Sequence, residues 1–413
     1  MRSSEEMKES LLGKESKWSY LEPGSVRSSI LTLCANSMGA GLLSIPYVFS
    51  KTGLIGGIVM LLLGAVIFAF YYRVLIKAHD QTQVYNYSGT VKKLLGEGGR
   101  RIIELCFIGF SFGVLCVYQV LAAGFILDVL QAGGFIQYIG LSYETARITL
   151  LLVVSLLVLT PLTIPEKMTA LRYASSICLI ALFYIIIVLI VQLPSYLVAS
   201  EVEISYIKTD LSLINSFTIC VFAFDGILGL SIIYGELSNK SYQKMTKVID
   251  RAVGLSVLLY IVMGTAGYLA LGTNTPNLIT EREYLWGTDW YMIVAELLIG
   301  FTLIAAVPLK MTPLRNNVEQ LVSGTESERN YVLYYGVTYV SLYASTFIAV
   351  VVPNAIKYFS FLGGFLIVPI AFVIPGILYF KLENSKAKLV SAGFLSVVLG
   401  LMGIYSTIST IIT

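Results

Sequence analysis

Two glycine-rich stretches hold the polar residues whose types and spacing could bind a small molecule inside an otherwise apolar chain. The first reads NSMGAGLLSIP from Asn36 to Pro46, and the second reads AFDGILGLSIIYGEL from Ala223 to Leu237. Each lies near the middle of an apolar run long enough to cross hydrocarbon, where about 20 residues make a span. Polar and glycine-rich backbone at that depth leaves hydrogen-bonding groups unpaired, and hydrocarbon tolerates it only where it lines a cavity. The N–H groups of Gly39, Ala40 and Gly41, with Ser37 beside them, can receive a carboxylate at the positive end of a helix dipole. Carbonyls before the break attract an ammonium or a metal cation. A zwitterion suits that pair of ends. Gly226 and Gly229 give the second stretch the same character. The alternative for these glycines is close helix packing.

Four further groups bear on the chemistry. Asp225, near mid-span, is costly in hydrocarbon and faces a cavity or a partner, so it can bind a substrate ammonium, a coupling cation or a proton. A structural position bonded to helix termini near the membrane surface is the other reading. Glu296 is a second coupling candidate, or a side chain reaching for the interface. Glu236 can pair with a gate residue or with a loop lysine. The single histidine, His79, falls in the loop after the second span, which makes a membrane proton relay by histidine unexpected. No Ser-His-Asp or phosphate-loop pattern occurs, so no enzyme is indicated.

The elements that must position these groups are membrane helices. Of 413 residues, 56% are hydrophobic and 13% charged, against about 25% charged in soluble domains. The runs predict eleven spans: 28–49, 54–76, 102–130, 148–163, 170–193, 213–234, 248–271, 291–308, 331–352, 356–380 and 389–412. The first reads as a span and not as a removed signal peptide. Of the 28 Lys and Arg, 23 fall in the N-terminal segment and the loops after even-numbered spans. The positive-inside rule then places the N-terminus in the cytosol and the C-terminus outside or in a lumen. That distribution explains the net charge of +3, and nucleic acid is not expected as a partner. All five cysteines lie in predicted spans, where buried thiols are the expected reading. The sequons at Asn86 and Asn239 fall in loops assigned to the cytosol. Leu11-Leu12 lacks the acidic spacing usual for a sorting signal.

Spans 1 and 6 are five apart and therefore enter the membrane from opposite sides, which is the inverted-repeat transporter plan. The expected organisation is all-α: a tail over 1–27, a five-helix repeat over 28–193, its inverted partner over 194–380 and an extra helix over 381–413.

These residues resemble the amino acid/auxin permease family of the amino acid–polyamine–organocation superfamily. GAGLLSIPYVFSKTG from Gly39 to Gly53 is similar to that family's first span. Phe224 with IYGEL (Ile233–Leu237) is similar to its sixth, although Ile232 replaces the family's proline. VPLKMTPLRNNV from Val307 to Val318 carries Pro308, Pro313 and Arg315 in the family's spacing, and Pro165 with Leu171–Ser175 is a weaker match. The resemblance implies a five-plus-five LeuT-like fold and a secondary active transporter that moves an amino acid, neutral by preference, by alternating access. It implies a substrate held by the Gly39–Gly41 backbone and covered by Phe224. It also implies a transmembrane proton or sodium gradient as driving force, with no cofactor or resident metal. Sodium-coupled relatives use an Asn in span 1 and a Thr in span 8. Here Asn36 is displaced by one residue, Ile304 and Ala306 stand where threonines are expected, and Thr302 lies further away. Proton coupling through Asp225 or Glu296 is favoured slightly. The mid-span lysine of span 5 seen in some proton-coupled relatives is missing. Cationic substrates, sodium coupling and a membrane amino acid sensor are the alternatives. The membrane, plasma or vacuolar/lysosomal, and the oligomeric state stay open.

Overall fold

A chain in hydrocarbon must close its backbone hydrogen bonds within itself, and helices do this within one segment. The computed structural model describes residues 24–164, 172–199, 202–283, 285, 288–323, 331–383 and 386–412. Leu11-Leu12, the tail before Gly24, Pro165 and Leu171 lie outside the described residues. Among the described residues ten helices are long and apolar enough to cross a membrane, and a bent pair supplies an eleventh span.

Span 1 is that pair, Val26–Ser37 and Ala40–Thr52, bent by 54°. Spans 2 to 5 are Leu54–Thr82, Tyr87–Ala132, Tyr143–Thr163 and Arg172–Ala199. Span 6 is Ser212–Ala223 followed by Ile227–Glu236, and span 7 is Tyr242–Leu271. Spans 8 to 11 are Trp290–Ser323, Tyr331–Val351, Ala355–Leu382 and Lys386–Ile412.

Three boundaries differ from the sequence expectation in ways that matter. Span 3 starts at Tyr87, capped by the Asn86 side chain on Gly89 N–H, and kinks at Gly96, whose φ of 81° glycine alone adopts readily. Span 8 does not stop at Pro308. It runs through Pro308 and Pro313 to Ser323, because neighbouring helices can absorb the backbone groups a proline frees. Span 2 continues to Thr82, so His79 lies within a helix and is fully buried, not in a loop.

The repeats pack through equivalent members. Spans 3 and 8 make the most extensive contact in the molecule, and span 7 packs on spans 1 and 2. Arg315, in the proline-rich part of span 8, donates to Thr163 O at the end of span 4 (3.0 Å) and stacks on Tyr334 of span 9 (4.3 Å). Span 11 crosses span 10 backbone to backbone, since a Cβ on Gly364 would lie 2.6 Å from Gly403 O. Span 11 also bonds the first half of span 6 through Ser406 and Thr218 (2.7 Å). Among the described side chains Cys34, Cys106, Cys116 and Cys220 are free thiols.

Candidate functional site

The first break begins where the helix ends at Ser37. The chain turns through Met38 and Gly39 and resumes as a 3-10 turn from Ala40 to Ser44. Pro46 then sits in the first turn of Ile45–Thr52, where its missing N–H costs nothing. The N–H of Gly39 is taken by Ser37 O at 2.9 Å. Ala40 and Gly41 open the 3-10 turn, and the leading N–H groups of a helix have no internal partner. Two of the three expected carboxylate donors therefore remain, Ala40 and Gly41.

The second break lies between Ala223 and Ile227. Asp225 occupies it, midway along span 6. Its Oδ1 accepts from Ile227 N–H at 3.4 Å. The side chain is half-buried, and the ammonium of Lys310 on span 8 lies within electrostatic reach. Lys310 is a mid-chain basic residue that sequence reasoning assigned to a loop, because it ended span 8 at Pro308.

Two buried tyrosines, also missed, close the second break. Tyr72 of span 2 donates to Phe224 O (3.0 Å) and accepts from Gly226 N–H (2.8 Å). The Tyr260 hydroxyl of span 7 lies 3.1 Å from Ser37 O and also meets Ala223 O. Each is at most 1% exposed. The signal available was a tyrosine in an apolar run, whose hydroxyl needs a partner when buried.

The glycines divide. A Cβ on Gly41 would lie 2.7 Å from Ala223 Cα, one on Gly226 would lie 2.9 Å from Ser37 Oγ, and one on Gly229 would lie 2.2 Å from Asn36 Nδ2. These three let spans 1 and 6 cross closely, as small residues do. A Cβ on Gly39 would meet nothing within 4 Å. Exposure changes across the crossing as well. Asn36 is exposed and Gly39 and Asp225 are half-buried, whereas Ala40 to Ile45 and Ala223 to Phe224 are buried. The accessible side of the crossing thus lies toward the face rich in Lys and Arg.

Phe224 does not cover an open site. It is 2% exposed, stacked on Phe68 at 5.6 Å and set edge-on to Tyr260 at 4.9 Å. Its ring fills the space between spans 2 and 7.

The other candidates lie apart. Glu296 is completely buried in span 8, and neither carboxylate oxygen has a hydrogen-bond partner among the described residues. It does not reach for the interface. Asp128, Asp289, Glu281 and Arg282 lie within its electrostatic reach. Ile293, one turn away, lines a cavity of about 640 Å³ on the opposite face with Asp128, Arg147, Glu281 and Arg282. Thr302 is buried and donates to Ile299 O on its own helix (2.8 Å). Glu236 is exposed at the end of span 6 and forms no ion pair among the described residues, so the expected gate partner is missing there. His79 instead ties the second half of span 6 in place. Its Nε2 lies 2.8 Å from Ser231 Oγ, and Nδ1 faces Thr90 Oγ1 (2.7 Å) and Val84 O (2.9 Å). The carbonyl requires a donor, so Nδ1 carries the proton and Nε2 accepts from Ser231.

Comparison with known proteins agrees with this architecture. The family model for transmembrane amino acid transporter proteins matches residues 22–413. Vacuolar amino acid transporter 7 of Saccharomyces cerevisiae is 27% identical over 72% of this chain and 60% of its own length. The sodium-coupled neutral amino acid symporter 2 of Danio rerio is 23% identical over 91% of this chain and 79% of its own. Among curated relatives the chain spans about half the length of those it matches first. The inward-facing structure of Mhp1 superposes with a TM-score of 0.58 at 12% identity, covering 95% of this chain and 90% of that one. A match over nearly the whole sequence, on an inverted five-plus-five helical core, places this chain in the transmembrane amino acid transporter family, the amino acid/auxin permease family that its first and eighth spans resemble.

Proposed function

We propose that the protein moves a neutral amino acid by alternating access and couples it to protons. The crossing of spans 1 and 6 carries the reading. There the leading N–H groups of Ala40 and Gly41 provide a seat for a carboxylate, and Asp225 stands at the adjoining break to receive an ammonium. The name of the zebrafish relative supports a neutral substrate, while that of the yeast relative supports an organelle membrane. The Lys- and Arg-rich face is the cytosolic one.

Proton coupling rests on Glu296. An ionised carboxylate with neither oxygen bonded would be an uncompensated buried charge, so this group holds a proton or awaits a cation. Asp128, Glu281, Asp289 and Arg282 lie within its electrostatic reach on the side of the opposite face. Asp225, already bonded at Ile227 and near Lys310, is left to the substrate.

Full-length protein in proteoliposomes, with choline replacing sodium and an imposed pH gradient, tests both parts. Concentrative uptake of a neutral amino acid driven by the pH gradient is the expected result. A strict need for sodium overturns the proton coupling, and binding without flux replaces transporter with sensor. Glu296→Gln is expected to abolish pH-driven accumulation while sparing exchange of substrate across the membrane.

A further inference from the structure

Two cavities away from the crossing adjoin each other and differ in character. One, of about 890 Å³, is lined by apolar side chains of spans 3, 9 and 10, among them Phe112, Val351, Phe361 and Phe365. Val351 and Phe365 are more than half exposed, which in a membrane span means contact with lipid. Glycines set its floor: Gly113 lies against Leu362 and Gly109 against Leu366, so the two helices approach closely under the groove. The other cavity, of about 200 Å³, is polar and contains Lys51, Asn215, Asn277 and Lys357. Asn354, Lys357 and Thr410 line both.

The dimensions match one leaflet. The groove descends along span 10 from Ala355 to Leu366, about 17 Å at 1.5 Å per residue, roughly half of the ~30 Å hydrocarbon core. The polar pocket lies at its outer end, at the membrane surface on the face opposite the Lys- and Arg-rich one. Lys51 and Lys357 are half-buried there and have no carboxylate partner among the described residues. Lys51 lies 5.1 Å from the centre of the Tyr47 ring, and Ser212 on the rim gives its hydroxyl to Asp210.

From this amphiphilic pair we infer a binding site for one phospholipid with an anionic headgroup. The phosphate and headgroup sit between Lys51 and Lys357, and an acyl chain fills the groove against Phe361 and Phe365. The headgroup pocket is walled by the outer halves of both broken spans, Tyr47–Lys51 of span 1 and Ser212–Ile219 of span 6. A lipid held there braces the two segments against each other.

Native mass spectrometry of the purified full-length protein tests this without any amino acid present. Titration with palmitoyl-oleoyl phosphatidylglycerol is expected to show one retained molecule, and phosphatidylcholine with the same chains to bind more weakly. The Lys51→Gln/Lys357→Gln variant should lose about thirtyfold in affinity for phosphatidylglycerol, from about 1 kcal/mol per basic residue, and Lys51→Arg/Lys357→Arg should restore it. Unchanged melting of the glutamine variant shows that the fold is intact. If phosphatidylglycerol binds the glutamine variant as well as the parent, or phosphatidylcholine binds as tightly, the site is not one for an anionic lipid. Competition by free glycerol phosphate at equal concentration would show a simple anion pocket and overturn the role of the groove.

Discussion

The two broken spans share a plan and differ in how completely they are sealed. The break in span 6 is closed by the scaffold: Tyr72 answers Phe224 O and Gly226 N–H, Tyr260 meets Ala223 O while also reaching Ser37 O at the end of the first helix of span 1, and Asp225 caps Ile227. The break in span 1 keeps two N–H groups at the head of its 3-10 turn and open space beside Gly39. A buried polar backbone group without a partner costs about 1–3 kcal/mol, so a break is either sealed by the scaffold or left for a ligand. Under the proposed function, span 6 is the built hinge and span 1 offers the seat. The sealing residues come from spans 2 and 7, which are equivalent in the inverted repeat, so each repeat lends a tyrosine to the crossing.

Substitution at the closest contact should have the largest effect. Gly41→Leu drives a side chain into the Ala223 backbone, and since neither broken segment can move without the other, overpacking here costs more than the usual ~1–3 kcal/mol. Loss of folded protein in a size-exclusion assay is the expected outcome. Wild-type yield and melting would show that the crossing is looser than 2.7 Å implies. Tyr72→Phe is next. It strands Phe224 O and Gly226 N–H together, for about 3 kcal/mol by the cost of unsatisfied groups, read as a lowered melting temperature in detergent. A neutral result would place water in the hydroxyl's position and weaken the contrast between a sealed and an open break.

Asp225→Asn keeps the shape of the hinge and its bond to Ile227 N–H, because an amide oxygen also accepts. It removes the charge that answers an ammonium. Uptake of substrate in proteoliposomes should fall about tenfold or more, the range for a lost charge-assisted hydrogen bond of about 1.5–3 kcal/mol, with melting unchanged. Intact uptake would remove Asp225 from ammonium binding and leave it a structural cap, which the amide fills equally well.

The fold was legible in the sequence because hydrocarbon imposes length and polarity on every span. The paired interruptions at Gly39–Gly41 and Asp225–Gly226 were legible for the same reason. What each residue does there was not. Gly41 and Gly39 look alike as letters, yet one abuts Ala223 and the other faces space, a distinction made by the other repeat and not by neighbours in sequence. Phe224 follows the family pattern but points between spans 2 and 7. His79 was misplaced because Lys77, Asp80 and Gln81 around it read as a loop, while span 2 continues as a helix beyond the apolar run. Lys310 was lost with the prolines beside it, since a sequence cannot show which neighbours will satisfy the backbone that a proline frees.

The smallest expected effect is also the most selective. Gly39→Ala adds a methyl where nothing lies within 4 Å, at a φ of −97° that alanine adopts freely. Melting should therefore stay within about 0.5 kcal/mol of the parent, as at sites free of packing or strain. If the open side of the first break is where the carboxylate docks, the same methyl crowds that seat. Half-saturating substrate concentration should then rise about threefold to tenfold, with maximal flux retained. The readout splits stability from affinity at one atom. Unchanged affinity in this variant, with Gly41→Leu still unfolded, would mean that both glycines serve the crossing and that the substrate lies elsewhere along spans 1 and 6.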